Sequence, residues 1–281
     1  MKKTTAFLQN PDGLKLMTAD YVPDGDAVGQ IVLVHGYGEH AGRYVHVIEA
    51  LCGAGYSVHT LDHRGHGESE GTRAYFNTLW EPVADLRLFV NHVQSQTGNR
   101  TLIMLGHSMG ALIALVFAIQ YAYELKALIL SGVALTADLR QPPMLIHVAN
   151  LLNRFIPKAP LADGAPISEL SNDPSVALAF TADPLTYKGK MRVRMGVSIQ
   201  RAAAWARDNL EMVELPVLLM HGADDRICPP DGSRMIHERA ASADKTFRLY
   251  DGMKHEIFNE RERARVIADL TAWLNAHTLE S

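Results

Sequence analysis

Short apolar, β-branched runs alternate with segments of helical periodicity along most of the chain. Ile31–Val34, Tyr56–Leu61, Thr101–Leu105, Ala127–Leu130, Val217–Met220 and Thr246–Tyr250 read as strands. Unbroken runs such as IVLV and TLIML fit strands covered on both faces, as in a parallel sheet. Between them the spacing predicts helices over Tyr44–Cys52, Leu79–Gln96, Met109–Tyr121, Gly232–Ala241 and Glu260–His277. Such alternation predicts an α/β fold with right-handed crossovers and a mostly parallel central sheet flanked by helices. Residues 4–21, centred on Asn10-Pro11-Asp12-Gly13, read as an antiparallel hairpin on the sheet edge.

The alternation fails between about Thr136 and Leu210. Seven of the 13 prolines lie there, at 142, 143, 157, 160, 166, 174 and 184, together with an amphipathic segment, Met144–Ile156, and a helical pattern over Lys190–Asn209. The expected organisation is a core formed by residues 1–135 and 211–281, interrupted by a helical cap at 136–210. The apolar face of Met144–Ile156 is expected to cover the active site and the core. The same face suits transient contact with a membrane surface.

Composition narrows the chemistry by exclusion. With 281 residues and a formal charge of −4, the chain has no strongly basic field to hold a polyanion, which argues against nucleic-acid binding. Two cysteines, Cys52 and Cys228, are too few for a disulfide-stapled fold and read as reduced thiols. Ala6-Phe7-Leu8 is too short an apolar run for a signal peptide, and Ala111–Ile119 is too short for a membrane span. The expectation is a soluble, cytoplasmic protein that is at most peripheral to a membrane.

Two stretches match Gly-x-Ser-x-Gly. Gly106-His107-Ser108-Met109-Gly110 follows the strand TLIML and opens an apolar helix, the context in which a sharp turn exposes a nucleophilic serine beside a helix N-terminus. Gly67-Glu68-Ser69-Glu70-Gly71 sits in a polar loop with no apolar helix after it, so Ser69 reads as a loop serine. A serine hydroxyl needs a base oriented by a third group. His255 is the one histidine that follows a late strand, whereas His237 falls in a helical pattern and His277 near the C-terminus. The acid is Asp224 or Asp225, adjacent after the strand Val217–Met220. Met109 N–H and Tyr37 N–H, the latter from His35-Gly36-Tyr37-Gly38, are the candidate oxyanion donors. His63 and His66 form the densest histidine cluster but lack the ligand spacing of a zinc site, so no metal is expected. HGYG lacks both the dinucleotide fingerprint and a phosphate-loop lysine, and no cofactor is expected.

PDGLKL at 11–16, HGYGEHAGRY at 35–44, LDHRGHGESEG at 61–71, GHSMG at 106–110, DPLTYKG at 183–189, HGADDRIC at 221–228 and YDGMKHEIFNE at 250–260 together resemble the α/β-hydrolase serine enzymes of the monoacylglycerol lipase and lysophospholipase-like branch. The resemblance implies ester hydrolysis on medium- or long-chain acyl esters without a cofactor. It implies that the acid precedes Arg226-Ile227-Cys228 and is therefore Asp225. It also implies that Glu39 and Arg43 lie near the alcohol end of the substrate. The chain departs from the animal monoglyceride enzymes at two substrate-site positions, where Phe180 and Phe258 replace a tyrosine and a histidine that bind glycerol hydroxyls. A thioesterase, peptidase or perhydrolase using the same three residues is the competing expectation.

Overall fold

The computed structural model describes residues 1–98, 102–136, 143–162 and 166–278. Its sheet strands are β1 (Lys2–Gln9), β2 (Lys15–Val22), β3 (Gly29–Val34), β4 (Tyr56–Leu61), β5 (Leu102–His107), β6 (Leu125–Ser131), β9 (Val217–Gly222) and β10 (Lys245–Tyr250). They form one sheet in the order β1-β2-β4-β3-β5-β6-β9-β10. The β1–β2 hairpin and the β2–β4 pair are antiparallel, and every other pair is parallel. Thr101, where the sequence places the start of the third predicted strand, lies outside the described residues.

Alternation within the strands sorts the core into two layers. Val32 and Val34 face one side with Met104, Leu128, Leu130 and Leu219, where α2 (Trp80–Thr97) and α3 (Met109–Tyr121) pack. Ile31 and Leu33 face the other side with Ile103, Leu105 and Ile129, against α1 (Val45–Gly53) and α8 (Arg263–Thr278). Every residue from Met109 to Ile119 is buried, which accounts for a helix that is apolar on all sides. The remaining core helix, α7 (Asp231–Arg239), links β9 to β10.

From β3 the chain first moves outward to β4, then crosses back over β3 to β5. The direction of winding therefore reverses between β3 and β5, and the carboxyl ends of these neighbours open a crevice where α/β sheets bind ligands. Both glycine-rich motifs, 35–38 and 106–110, follow these two strands.

Between β6 and β9 the described chain forms α4 (Pro143–Phe155), the short strand β7 (Pro160–Ala162), α5 (Pro174–Ala182), the short strand β8 (Met191–Arg192) and α6 (Val193–Asp208). β7 and β8 pair as a separate two-stranded sheet. α5 was not expected, although Asp173 caps it by accepting from Ser175 N–H and Pro174 occupies its first turn. α4 forms where its periodicity predicts, but its orientation overturns the expectation for its apolar face. Met144 (76% exposed), Val148, Leu151 and Phe155 (71% exposed) face solvent. The opposite, polar side meets α6, where Arg194 and Arg201 donate to Asn153 and Asn150.

Candidate active site

Ser108 is the single residue between β5 and α3, at φ 57° and ψ −120°. A side chain in this region costs about 1–3 kcal/mol and persists only where its surroundings impose it. Here Ser108 N–H donates to Ser131 O (2.9 Å), and Ser108 O accepts from Leu112 N–H (3.1 Å). The flanking glycines permit the turn. A β-carbon on Gly106 would stand 2.6 Å from Gly110 O, and one on Gly110 would stand 2.3 Å from Val34 O.

The serine hydroxyl lies 2.9 Å from His255 Nε2, and His255 Nδ1 lies 2.7 Å from Asp225 Oδ2. The other Asp225 oxygen accepts from Ile227 and Cys228 N–H, each at 2.9 Å. These donors fix the carboxylate's orientation. His221 Nε2 lies 2.7 Å from Cys228 O and 3.2 Å from Asp225 Oδ2, and its Nδ1 meets the Ser233 hydroxyl at 2.7 Å. Nε2 therefore carries the His221 proton. Burial works to lower the His255 pKa, but the charge of Asp225 and its hydrogen bond outweigh it, leaving the imidazole above its ordinary value. For Asp225, burial works upward and the His255 and His221 contacts prevail, holding the carboxyl far below its usual range. The Nδ1–H tautomer of His255 follows, with Nε2 free to accept from Ser108. Asp224 is solvent-exposed and only its backbone N–H is engaged, to Met253 O.

Loop 35–40 runs beside the serine: a β-carbon on Gly36 would sit 3.2 Å from Ser108 Cβ. Glu39 braces this loop, accepting from Gly36 N–H (2.6 Å), Tyr44 O–H (2.6 Å) and Arg43 Nη1 (2.6 Å). Arg43 in turn makes a two-point pair with Glu256, at 2.7 and 2.8 Å. The far side of the loop is tied to the segment after α5. Tyr187 N–H donates to Gly38 O (2.7 Å), His40 Nε2 meets Asp183 Oδ2 (2.8 Å), and Arg73 donates to Leu185 O.

A cavity of about 490 Å³ opens over these groups. Tyr37, Glu39, Arg43, His107, Ser108, Met109, His255 and Glu256 form its polar side, and Ile167, Leu170, Phe180, Met191 and Ile199 supply an apolar wall. Met109 opens α3, where the first-turn N–H groups have no intrahelical acceptor. Phe180 holds the Arg43 guanidinium over its ring at 5.1 Å. Phe258 does not reach the cavity: it is 2% exposed and packs in the opposite core layer with Tyr44 and Ile257. No residue of α4 lines the cavity, so the apolar wall expected from 144–156 comes instead from Ile167, Leu170, Phe180 and Ile199.

Sequence reasoning missed Glu256 and His107, although each adjoins a residue of the Ser108–His255–Asp225 hydrogen-bonded chain. His107 places its ring 4.8 Å from that of His255, and burial with the charge of that neighbour lowers its pKa to about 4. Ser69 is consumed by the fold, donating to Asp62 O (2.6 Å) and accepting from Met17 N–H (2.8 Å). His63 and His66 lie buried beneath loop 35–40 beside His35, and no metal-binding cluster occurs among the described residues. No helix among the described residues is long and apolar enough to cross a membrane.

The profile of the family described as "Serine aminopeptidase, S33" matches residues 25–262. The chain is 38% identical over 273 residues to a monoacylglycerol lipase of Mycolicibacterium smegmatis, covering 94% of each. Among solved structures it is similar to the monoacylglycerol lipase of Paleococcus ferrophilus, with a TM-score of 0.85 and 30% identity over 93% of this chain and 99% of that one. A soluble variant of Saccharomyces cerevisiae monoglyceride lipase in complex with a substrate analogue gives a TM-score of 0.85 at 27% identity, covering 97% and 95%. The sheet, the strained serine turn and these matches lead to one assignment: the chain belongs to the α/β-hydrolase family whose profile is described as serine aminopeptidase S33 and which includes the monoacylglycerol lipases.

Proposed function

We propose that this chain is a serine ester hydrolase cleaving acyl esters of small neutral alcohols, with monoacylglycerols as its leading substrates. The observation that carries the reading is the unbroken chain of hydrogen bonds from Ser108 through His255 to Asp225, opening into a cavity with one polar and one apolar side. His255 removes the hydroxyl proton as Ser108 attacks the acyl carbonyl, and Asp225 stabilises the resulting imidazolium. Met109 and Tyr37 N–H groups receive the developing oxyanion, and the α3 N-terminus favours negative charge there. The proton passes from His255 to the leaving alcohol, and a water activated by the same base releases the acid.

The polar side bears on the headgroup. Glu39 and Glu256, paired with Arg43, share the lining with Lys188 and Lys190, and the carboxylates' remaining lone pairs can accept from hydroxyls. The relatives named monoacylglycerol lipase support monoacylglycerols over lysophospholipids and peptides.

Residues 136–210 act as a cap whose inner side shapes the acyl site. The exposed face of α4, with Met144, Leu145, Val148, Leu151 and Phe155, rests on lipid surfaces where such substrates reside. The chain is otherwise read as a soluble cytoplasmic enzyme.

A panel of monoacylglycerols of increasing chain length, lysophosphatidylcholine, a p-nitrophenyl ester and an aminoacyl anilide tests the reading. Monoacylglycerol is expected to turn over fastest among the lipids. Ser108→Ala abolishes fluorophosphonate labelling and Ser69→Ala keeps it. Labelling that survives Ser108→Ala, or an anilide cleaved faster than every ester, refutes the proposal.

A further inference from the structure

We propose that a second, smaller cavity, between the insertion and the start of α2, binds inorganic phosphate or a similar small oxyanion. The cavity is about 180 Å³ and is walled by Asn77 and Thr78 before α2, Asn153 of α4, and Arg194, Ser198 and Arg201 of α6. Arg194 and Arg201 stand two helical turns apart on one face of α6, so both guanidinium groups reach the same space. Their protein contacts are neutral: Arg194 donates to the side chain and backbone of Asn153, and Arg201 donates to Asn150 Oδ1 (3.0 Å). Among the described residues neither is paired with a carboxylate, and a guanidinium carries five N–H donors, so most remain to be used. Two like charges facing one small cavity repel each other unless an anion sits between them.

The hydroxyl of Ser198 gives independent support. It lies one turn beyond Arg194, is 5% exposed, and its Oγ has no hydrogen-bond partner among the described residues. A buried hydroxyl without a partner is costly, and an anion held by the two arginines supplies an acceptor. The amino end of the 18-residue helix α2 adds positive potential, since its cap residue Leu79 supplies no side-chain acceptor. Glu81, in the first turn of α2, does not line the cavity; its carboxylate is engaged by Asn77 and Arg64.

The source of the anion follows from the helix geometry. Asn150 and Asn153 project from the side of α4 opposite Met144, Val148, Leu151 and Phe155. The cavity therefore lies behind the face available to a bilayer, and its ligand is a dissolved anion rather than a lipid headgroup. Bound there, the anion ties α4 and α6 to α2, joining insertion to core.

Titrating the full chain with inorganic phosphate at constant ionic strength, followed by calorimetry and by melting temperature, tests the site. One site per chain is expected, together with a higher melting temperature in phosphate than in chloride. Arg201→Gln should weaken binding at least 10-fold and Ser198→Ala about 3-fold, with rates on a soluble p-nitrophenyl ester unchanged. Arg201 is exposed, so its replacement tests charge without removing core packing. Absence of both heat and stabilisation overturns the proposal, as does unchanged affinity in Arg201→Gln. Vesicles of phosphatidylglycerol and phosphatidylcholine separate the sources. If Arg201→Gln abolishes vesicle binding while free phosphate fails to bind the parent chain, the anion belongs to a lipid and the assignment is wrong.

Discussion

Replacing Asp225 with asparagine changes one atom and should reverse the direction of a proton. In the parent, Oδ1 accepts from the N–H groups of Ile227 and Cys228 while Oδ2 accepts from His255. An amide at this position has one oxygen and one NH2. Two backbone donors at 2.9 Å tolerate only the oxygen, so the NH2 must face His255 Nδ1. That imidazole then accepts at Nδ1 and carries its proton on Nε2, facing Ser108 with a donor where a base is required. The enforced wrong tautomer costs about 10,000-fold in kcat in a serine triad of the same design, equivalent to about 5 kcal/mol of barrier. The missing charge adds a second signature. Burial of His255, no longer opposed by the carboxylate, should pull its pKa below the ordinary value, whereas the parent's activity should rise with pH through a midpoint above that value. The assay is kcat/KM on a soluble p-nitrophenyl ester from pH 5 to 9, with Asp224→Asn as control. The exposed Asp224 should show less than about a threefold loss. A loss under about 100-fold for Asp225→Asn, or a larger loss for Asp224→Asn, refutes the reasoning.

Two further outcomes follow from the buried groups and the exposed face. Burial holds His63 at a pKa of about 3 and His66 and His107 at about 4, against 6.5 when unfolded, so the stability they contribute is full above pH 6.5 and is lost as pH falls toward 4. Three protons taken up on unfolding give a slope of about 4 kcal/mol per pH unit in the steep part, read by urea denaturation at a series of pH values, and stability that stays flat from pH 6.5 to 5 contradicts it. On the cap, the double replacement Leu151→Ser and Phe155→Ser should leave melting temperature and soluble-ester rates unchanged while weakening binding to phosphatidylcholine vesicles about 100-fold, from the loss of two apolar anchors. Unaltered vesicle binding would remove the lipid-contact role of α4.

Local patterns reveal most of the sheet and the serine turn. Ser108 is legible because a strand, two glycines and an apolar helix all point to one backbone conformation, and its φ of 57° bears this out. His255 is legible because only one histidine follows a late strand, whereas the choice of Asp225 over its neighbour needed the resemblance, since both stand on the same loop. The orientation of α4 was not legible. Its amphipathic pattern names an apolar face but not which way that face points, and here pairing of Asn150 and Asn153 with α6 turns it outward. Phe258 was misplaced for a related reason: its place in the motif does not say which way its side chain points, and it packs in the core with Tyr44 and Ile257. Glu256 escaped notice because its partner Arg43 lies 213 residues away in sequence.

The contacts between loop 35–40 and residues 183–187 divide the insertion into parts of unequal freedom. Tyr187 and Asp183 hold the same loop that carries Tyr37, so any drift in that segment would misalign the chemistry. The outward face of α4, with Met144, Val148, Leu151 and Phe155, does not line the active-site cavity and carries no such penalty. Substitutions that accumulate along that face can therefore alter where the protein goes and what surfaces it visits while the reaction is preserved. Within one insertion, the chain separates a segment open to experiment by natural selection from another that must be kept.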